Sequence, residues 1–300
     1  MILMTGGTGF VGSYLVKALR EDDCKVRVLV REHSDTKTLK ELGIELSVGD
    51  VIDPASLDPA VDGVDTVIHL VSIAEERGAA RFESICWRGT DNVVEVAKAA
   101  GIQRMIHMSA LGVEPDERSA YLLNKWKGQQ TVENSGLDYT VLRPSVIFGK
   151  GDGFFTKLAS VIRTSPGIMP IIGSGASRFQ PIWIEDVIRC TLSTLQNEEG
   201  KFSKKTLELG GSRILTFEEI VNVVMEAMQV RKPKVHLPAG LVSFGSRAMK
   251  AVGIPSPITP EQVYLVGKDN VTEPVDSVER HFGFEPRGLE AKHLDYLKQI

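Results

Sequence analysis

The chain has 300 residues, 42% of them hydrophobic and 25% charged, near the average for globular chains. That excludes global disorder and a membrane-embedded bundle, and it leaves room for one large α/β domain or two unequal lobes. The formal net charge of -4, from 39 acidic and 35 basic residues, gives no sequence-independent reason to expect nucleic acid or an anionic membrane as a partner. Cys24, Cys86 and Cys190 are odd in number and lack a CxxC spacing, so neither a disulfide framework nor a cysteine zinc site is expected; a reducing cytoplasm is the default location.

Met1 to Met4 is a short apolar run, followed by Gly6, Gly7, Gly9 and Gly12 and then by Val11, Leu15, Ala18 and Leu19 at helical spacing. The pattern predicts strand, tight turn, helix. The uncharged stretch from Met1 to Val16 has neither the basic start of a signal peptide nor the roughly 18 apolar residues that span a bilayer. Lys25 to Val30 is β-branched and alternating, which predicts a second strand, with a charged, broken stretch from Arg31 to Glu41 after it. Further strands are predicted at 45–48, 66–71, 104–108 and 139–142, separated by helical segments that include 90–100 and 121–135. This alternation implies a doubly wound parallel sheet, a Rossmann domain over 1–150, with right-handed crossovers and helices on both faces.

After Phe148 the segments GKGDGFF and SPGIMPIIGSGAS are too rich in glycine and proline for long regular elements, so a second lobe begins near there. Leu207 to Gly211 reads as another short strand, and Thr216 with Glu219 forms a capping box opening a helix that runs to about Gln229. Prolines 233, 238, 255, 257 and 260 cut the remainder into short helical pieces such as 241–252. The expected division returns 176–230 to the first domain and leaves 151–175 and 231–300 as a smaller, mostly helical C-terminal lobe.

Gly6-x-x-Gly9-x-x-Gly12, with Thr8, Phe10 and Val11 between, lies where a strand meets a helix. Glycines there permit a sharp turn and let the backbone approach a pyrophosphate at the helix N-terminus; a βα turn that binds nothing is the competing reading. A site for NAD(H) expects an acidic residue about 20 positions after the turn to hold the ribose hydroxyls. Arg31 occupies that position, which points to a 2′-phosphate and to NADP(H) over NAD(H), with an ordinary strand-end charge as the alternative. Lys37 is placed to assist from the following loop, and Arg27 has no assigned face.

Several segments together resemble the extended, atypical short-chain dehydrogenase/reductase superfamily. They are TGGTGFVG, Asp50 after the third strand, Ser109 after the fifth, Tyr121-x-x-x-Lys125, LRPSVIFG from Leu142, and Glu185-Asp186-Val187. Arg31, the short spacing from Ser109 to Tyr121 and LELGGSRILTFEEI are similar to the branch holding NmrA-like proteins and relatives of the NADPH-binding accessory subunit of mitochondrial complex I. The resemblance implies that Asp50 contacts the adenine amino group, a turn-forming aspartate being the other reading, that Val51 belongs to the cofactor site, that Val71 lines the adenine ribose, and that Pro144 and Val146 approach the carboxamide. It also implies a catalytic set of Ser109, Tyr121 and Lys125.

Residue chemistry agrees with that set. Tyr121 and Lys125, at i and i+4, share one face of a helix, and an ammonium there favours the phenolate and can reach the nicotinamide ribose. Ser109 ends an apolar strand at the carboxyl edge of the sheet, where such folds bind ligands. An exposed helix pair and a strand-end serine are the plain readings of these residues. His69 and His107, inside apolar strands, are expected to be satisfied buried or strand-end histidines, and no metal site is expected. Phe154, Phe155, Met169, Phe179 and Trp183 line either a substrate cleft or the core. Two functions follow: an NADP(H)-dependent oxidoreductase or epimerase acting on a small-molecule substrate, or a non-catalytic NADPH-binding protein serving a partner complex. A homodimer is compatible with either.

Overall fold

Residues 1–251 and 258–300 are described by the computed structural model. Strand β1 (Ile2–Thr5) runs into the glycine turn and helix α1 (Phe10–Glu21), then β2 (Val26–Val30), α2 (Lys37–Glu41), β3 (Glu45–Val48) and β4 (Thr66–His69). A π-helical turn, Glu83–Arg88, leads into α3 (Gly89–Ala99), followed by β5 (Arg104–Met108), α4 (Ala120–Glu133) and β6 (Asp138–Pro144). Next come β7 (Ile147–Phe148), α5 (Phe154–Thr164), β8 (Met169–Ile172), β9 (Arg178–Phe179), β10 (Ile182–Trp183), α6 (Ile184–Gln196) and β11 (Lys205–Leu209). The chain ends through β12 (Leu215–Thr216), α7 (Phe217–Ala227), β13 (Lys234–Leu237), α8 (Ala239–Ala251), α9 (Pro260–Val266) and α10 (Ser277–Phe282).

Two units are distinguished by their internal packing: Met1–Pro144 with Ile184–Glu208, and Ser145–Trp183 with Leu209–Ile300. The first holds a seven-stranded sheet in the order β11-β6-β5-β4-β1-β2-β3. Every pairing from β3 across to β6 is parallel. The order reverses between β1 and β4, which is where doubly wound sheets open a crevice at the carboxyl ends of their strands. Period-2 alternation sends Leu3, Val67, Met105 and Val141 into one buried layer with Val93, Val94, Ala97 and Val132 from α3 and α4. Helices α1 and α6 pack together. The charged stretch after β2 is less broken than its composition suggests: α2 is a single turn that buries only Leu39.

In the second unit, α5 and α7 close a core around Phe148, Phe155, Ile162, Ile171, Ile220 and Val224. The capping box at Thr216 and Glu219 is formed in both directions, an arrangement worth about 1 kcal/mol. Because α7 belongs to this core, the segment returning to the large sheet is Ile184–Glu208, narrower than the 176–230 expected from sequence. Phe154, Phe155, Met169, Phe179 and Trp183 all belong to, or pack against, that core. Prolines 255 and 257 and the end of the 241–252 helix lie outside the described residues. Among the described residues, no helix is long and apolar enough to cross a membrane.

Candidate dinucleotide and catalytic site

The glycine turn is shaped by contacts with its own backbone. Gly6 has φ +79, and a side chain on it would stand 3.1 Å from the backbone of Leu70 and Val71, so the turn closes against the end of β4. A Cβ on Gly12 would lie 2.2 Å from the Gly6 carbonyl oxygen and 2.7 Å from the Gly7 Cα. The turn and the first coil of α1 therefore touch backbone to backbone. Gly9 caps α1 at φ -80 and ψ 178, a conformation open to any residue. No side chain caps this helix and its first turn holds no acid, so orphan N–H groups at its N-terminus are left for an anion. Thr8 and Gly9 are exposed there, and Phe10 and Val11 are half-buried. The residues present fit a dinucleotide pyrophosphate.

Arg31 directly follows β2, exposed, and its guanidinium has no ion-pair partner among the described residues. Lys37 is also exposed, as the first residue of α2. Arg27, by contrast, is spent on structure: it pairs with Glu45 at 2.5 Å and donates to the carbonyls of Ala60 and Asp62. Asp50 forms a turn in which its Oδ1 accepts from the Ile52 N–H at 3.2 Å. Val51 is buried in the core and its carbonyl accepts from the Asn92 side chain. Val71 packs partly against the same core, and Pro144 is buried with its carbonyl taken by the Leu111 N–H. Val146 belongs to the second unit and packs against that unit's own core.

The face of α4 carrying Tyr121 and Lys125 continues one turn further to Gln129. Lys125 is 3% exposed, and its ammonium donates to the carbonyl of Met108 at 2.8 Å without a carboxylate partner among the described residues. Burial lowers its pKa from the ordinary lysine range. Ser109, the next residue after Met108, is buried and donates from its hydroxyl to Gln129 Oε1 at 2.8 Å. Gln129 in turn donates from Nε2 to Glu133, whose carboxylate also accepts from Gln130 and from Thr206 of β11. Tyr121 is half-buried with its ring edge-to-face on Phe82, centroids 5.6 Å apart. Gly128 lets α4 approach the π-helical turn, since a Cβ there would stand 2.2 Å from the Cys86 carbonyl oxygen.

Beneath these groups the apolar row Leu3, Val67, Met105 gives way, two residues on, to Thr5, His69 and His107 on the same sheet face. His69 Nδ1 is 2.7 Å from Thr5 Oγ1, and His69 Nε2 is 3.0 Å from Thr90 Oγ1. The Thr90 hydroxyl donates to the Cys86 carbonyl, so it accepts from Nε2–H, and Thr5 donates to Nδ1. Burial first and the Lys125 charge second push the His69 pKa down to about 3. His107 stacks on His69 at 5.4 Å and is also held well below the usual histidine range, by burial and then by Lys125. His69 is satisfied as expected; His107 is not, because both of its ring nitrogens are buried without a partner among the described residues. Sequence reasoning missed Gln129 as the acceptor for Ser109, although its i+8 spacing from Tyr121 carried the signal.

A family profile described as NAD(P)H-binding matches residues 6–157. The chain is 27% identical over 276 residues to NADH dehydrogenase (ubiquinone) 1 alpha subcomplex subunit 9, mitochondrial, from Arabidopsis thaliana, covering 88% of this chain and 67% of that protein. It is 32% identical over 186 residues to ceramide reductase from Caulobacter vibrioides, covering 62% of this chain and 58% of that relative, less than two thirds of its length. Among solved structures, a double mutant of dTDP-glucose 4,6-dehydratase from Streptomyces venezuelae with NAD bound superposes with a TM-score of 0.73 at 19% identity. That superposition covers 100% of this chain and 96% of the other, and it shows a shared fold.

Proposed function

Because this chain belongs to the NAD(P)H-binding family within the short-chain dehydrogenase/reductase superfamily, we propose that it is an NADP(H)-dependent oxidoreductase or epimerase-like enzyme acting on a carbonyl or hydroxyl substrate. The observation that carries this reading is Lys125: a buried ammonium with no counter-ion among the described residues, bonded to the carbonyl of Met108, the residue before Ser109, and one helical turn from Tyr121. Burying a charge without a partner is costly, and a purely structural position there favours an apolar side chain.

Gly6, Gly9, Gly12 and the uncapped start of α1 would hold the pyrophosphate, with Thr8, Phe10 and Val11 around it; Arg31 would hold a 2′-phosphate and Asp50 the adenine. NADP(H), when bound, supplies or accepts a hydride. Tyr121 would hold a proton at its phenolic oxygen and pass it to or from the substrate oxygen, with the neighbouring ammonium of Lys125 favouring the phenolate. The Ser109 proton is committed to Gln129, so Ser109 presents a lone pair and orients a substrate hydroxyl by accepting from it. Ceramide reductase, one of the relatives, bears a name that fits a hydrophobic carbonyl substrate.

A second reading, a non-catalytic NADPH-binding subunit of a larger complex, is favoured by the match to a mitochondrial NADH dehydrogenase subunit over 88% of this chain. The test is NADPH oxidation over a panel of short- and long-chain ketones, with wild type and Tyr121→Phe side by side. The catalytic reading expects turnover in wild type and a loss of at least about 100-fold in the variant. Equal turnover in both removes Tyr121 from the mechanism. NADPH binding without turnover across the panel favours the second reading.

A further inference from the structure

The chain as a whole is acidic, yet its charge is unevenly placed. From Gln229 to Pro260 there is no aspartate or glutamate, although at the chain's average acid content a stretch that long would hold about four. The same stretch carries Arg231, Lys232, Lys234, Arg247 and Lys250. In the second unit it forms β13, which pairs in parallel with β8, and then α8. Met169 and Ile171 of β8 turn into the core, so the register partners Pro170 and Val235 lie on the opposite face of the ribbon. Val235 is exposed there, and the apolar surface recurs on α8, where Leu241 is 60% and Phe244 70% exposed at i and i+3. Arg247 follows on the same stripe, exposed, and Arg231 is exposed just before β13. Neither guanidinium has an ion-pair partner among the described residues, whereas Lys232 donates to the Ile162 and Ser165 carbonyls and Lys234 pairs with Glu218.

We propose that the face formed by β13 and α8 docks this protein on the surface of an anionic phospholipid bilayer, with Leu241 and Phe244 entering the headgroup boundary and Arg231 and Arg247 meeting lipid phosphates. A helix whose exposed stripe is leucine and phenylalanine beside arginine, in a stretch without acids, matches the composition that binds such surfaces in plane. A second copy of the chain is the weaker occupant. A two-fold contact would set the same basic patch against itself, with like charges opposed. The net charge of -4, which argued against an anionic partner, averages over this local reversal.

The test is co-sedimentation of the full chain with vesicles of phosphatidylcholine alone and of phosphatidylcholine containing a quarter phosphatidylglycerol. Wild type should pellet with the anionic vesicles, and added salt should weaken its binding. Leu241→Ser with Phe244→Ser should reduce partitioning about tenfold or more, and so should Arg231→Glu with Arg247→Glu, on anionic vesicles only. An unchanged melting midpoint shows that each variant is folded; if the serine pair lowers it, the arginine pair and the salt titration decide. Wild type remaining in the supernatant, or either folded variant pelleting like wild type, overturns the proposal. So does a wild-type dimer in light scattering that the serine pair makes monomeric, because the apolar face then belongs to a second copy.

Discussion

Two glycines in one turn should fail in opposite ways when each is replaced by alanine. At Gly12 the new methyl would stand 2.2 Å from one backbone oxygen and 2.7 Å from a backbone Cα, and neither can swing aside. The turn must move, and overpacking of this kind costs about 1–3 kcal/mol even after the gain of up to about 1 kcal/mol from alanine in a helix. At about 2–4 °C per kcal/mol, the melting midpoint should fall by roughly 2–12 °C. At Gly9 the methyl meets only the Gly6 oxygen, at 3.2 Å, and the backbone angles suit any residue. Gly9→Ala should therefore shift the midpoint by less than about 2 °C while occupying the space through which a pyrophosphate reaches α1, weakening NADPH binding about tenfold or more. Thermal melts with and without NADPH, together with fluorescence titration, measure both quantities. If Gly9→Ala binds NADPH as wild type does, the turn is a structural device and the cradle argument is refuted.

Three further outcomes are expected. Arg31→Glu should weaken NADPH about tenfold or more and leave NADH nearly unchanged in the same titration; equal affinity of wild type for both nucleotides would remove Arg31 from the site. Lys125→Met should hold or raise the urea midpoint, because it removes a buried charge without a partner, while abolishing any turnover; a large loss of stability would show the ammonium to be a structural necessity. The buried histidines bind protons more readily in the unfolded chain, where the pKa is near 6.5, than in the fold, where His69 sits at about 3 and His107 well below 6.5. Their contribution is therefore complete above about pH 6.5 and declines as pH falls toward about 3, by up to about 1.4 kcal/mol per pH unit for each ring. Urea unfolding from about pH 7 to about pH 5 should show this slope, and His69→Asn should flatten it.

The large sheet was legible because its strands through β6, the short and partly polar β3 apart, are mainly apolar runs bounded by helical periodicity or turn residues, and because Gly6, Gly9 and Gly12 mark the first crossover. Asp50, Ser109, Tyr121 and Lys125 could be placed for the same reason: strand ends and helix faces follow from period alone. The second unit was less readable. Two-residue strands such as β7, β9, β10 and β12 show no alternation, and their pairings join residues up to 38 positions apart. The π-helical turn has no compositional mark, yet it brings Phe82 to Tyr121 and the Cys86 carbonyl to Gly128 of α4. Val51 illustrates a different limit: its place after Asp50 in a motif does not say that its side chain joins the core.

Glu133 ties the proton of Ser109 to the order in which this protein is synthesised. Its carboxylate accepts from Gln129 and Gln130 of its own helix and also from Thr206, which lies on β11 and emerges after the chain has passed through β7 to β10 of the other unit. Until that edge strand arrives, the Glu133 carboxylate in the relay from Ser109 lacks one of its three donors. Closing so long a loop is slow compared with forming the local βα units, so the chain can build its glycine turn early while the hydrogen bond from Thr206 to Glu133 waits for the edge strand of the sheet.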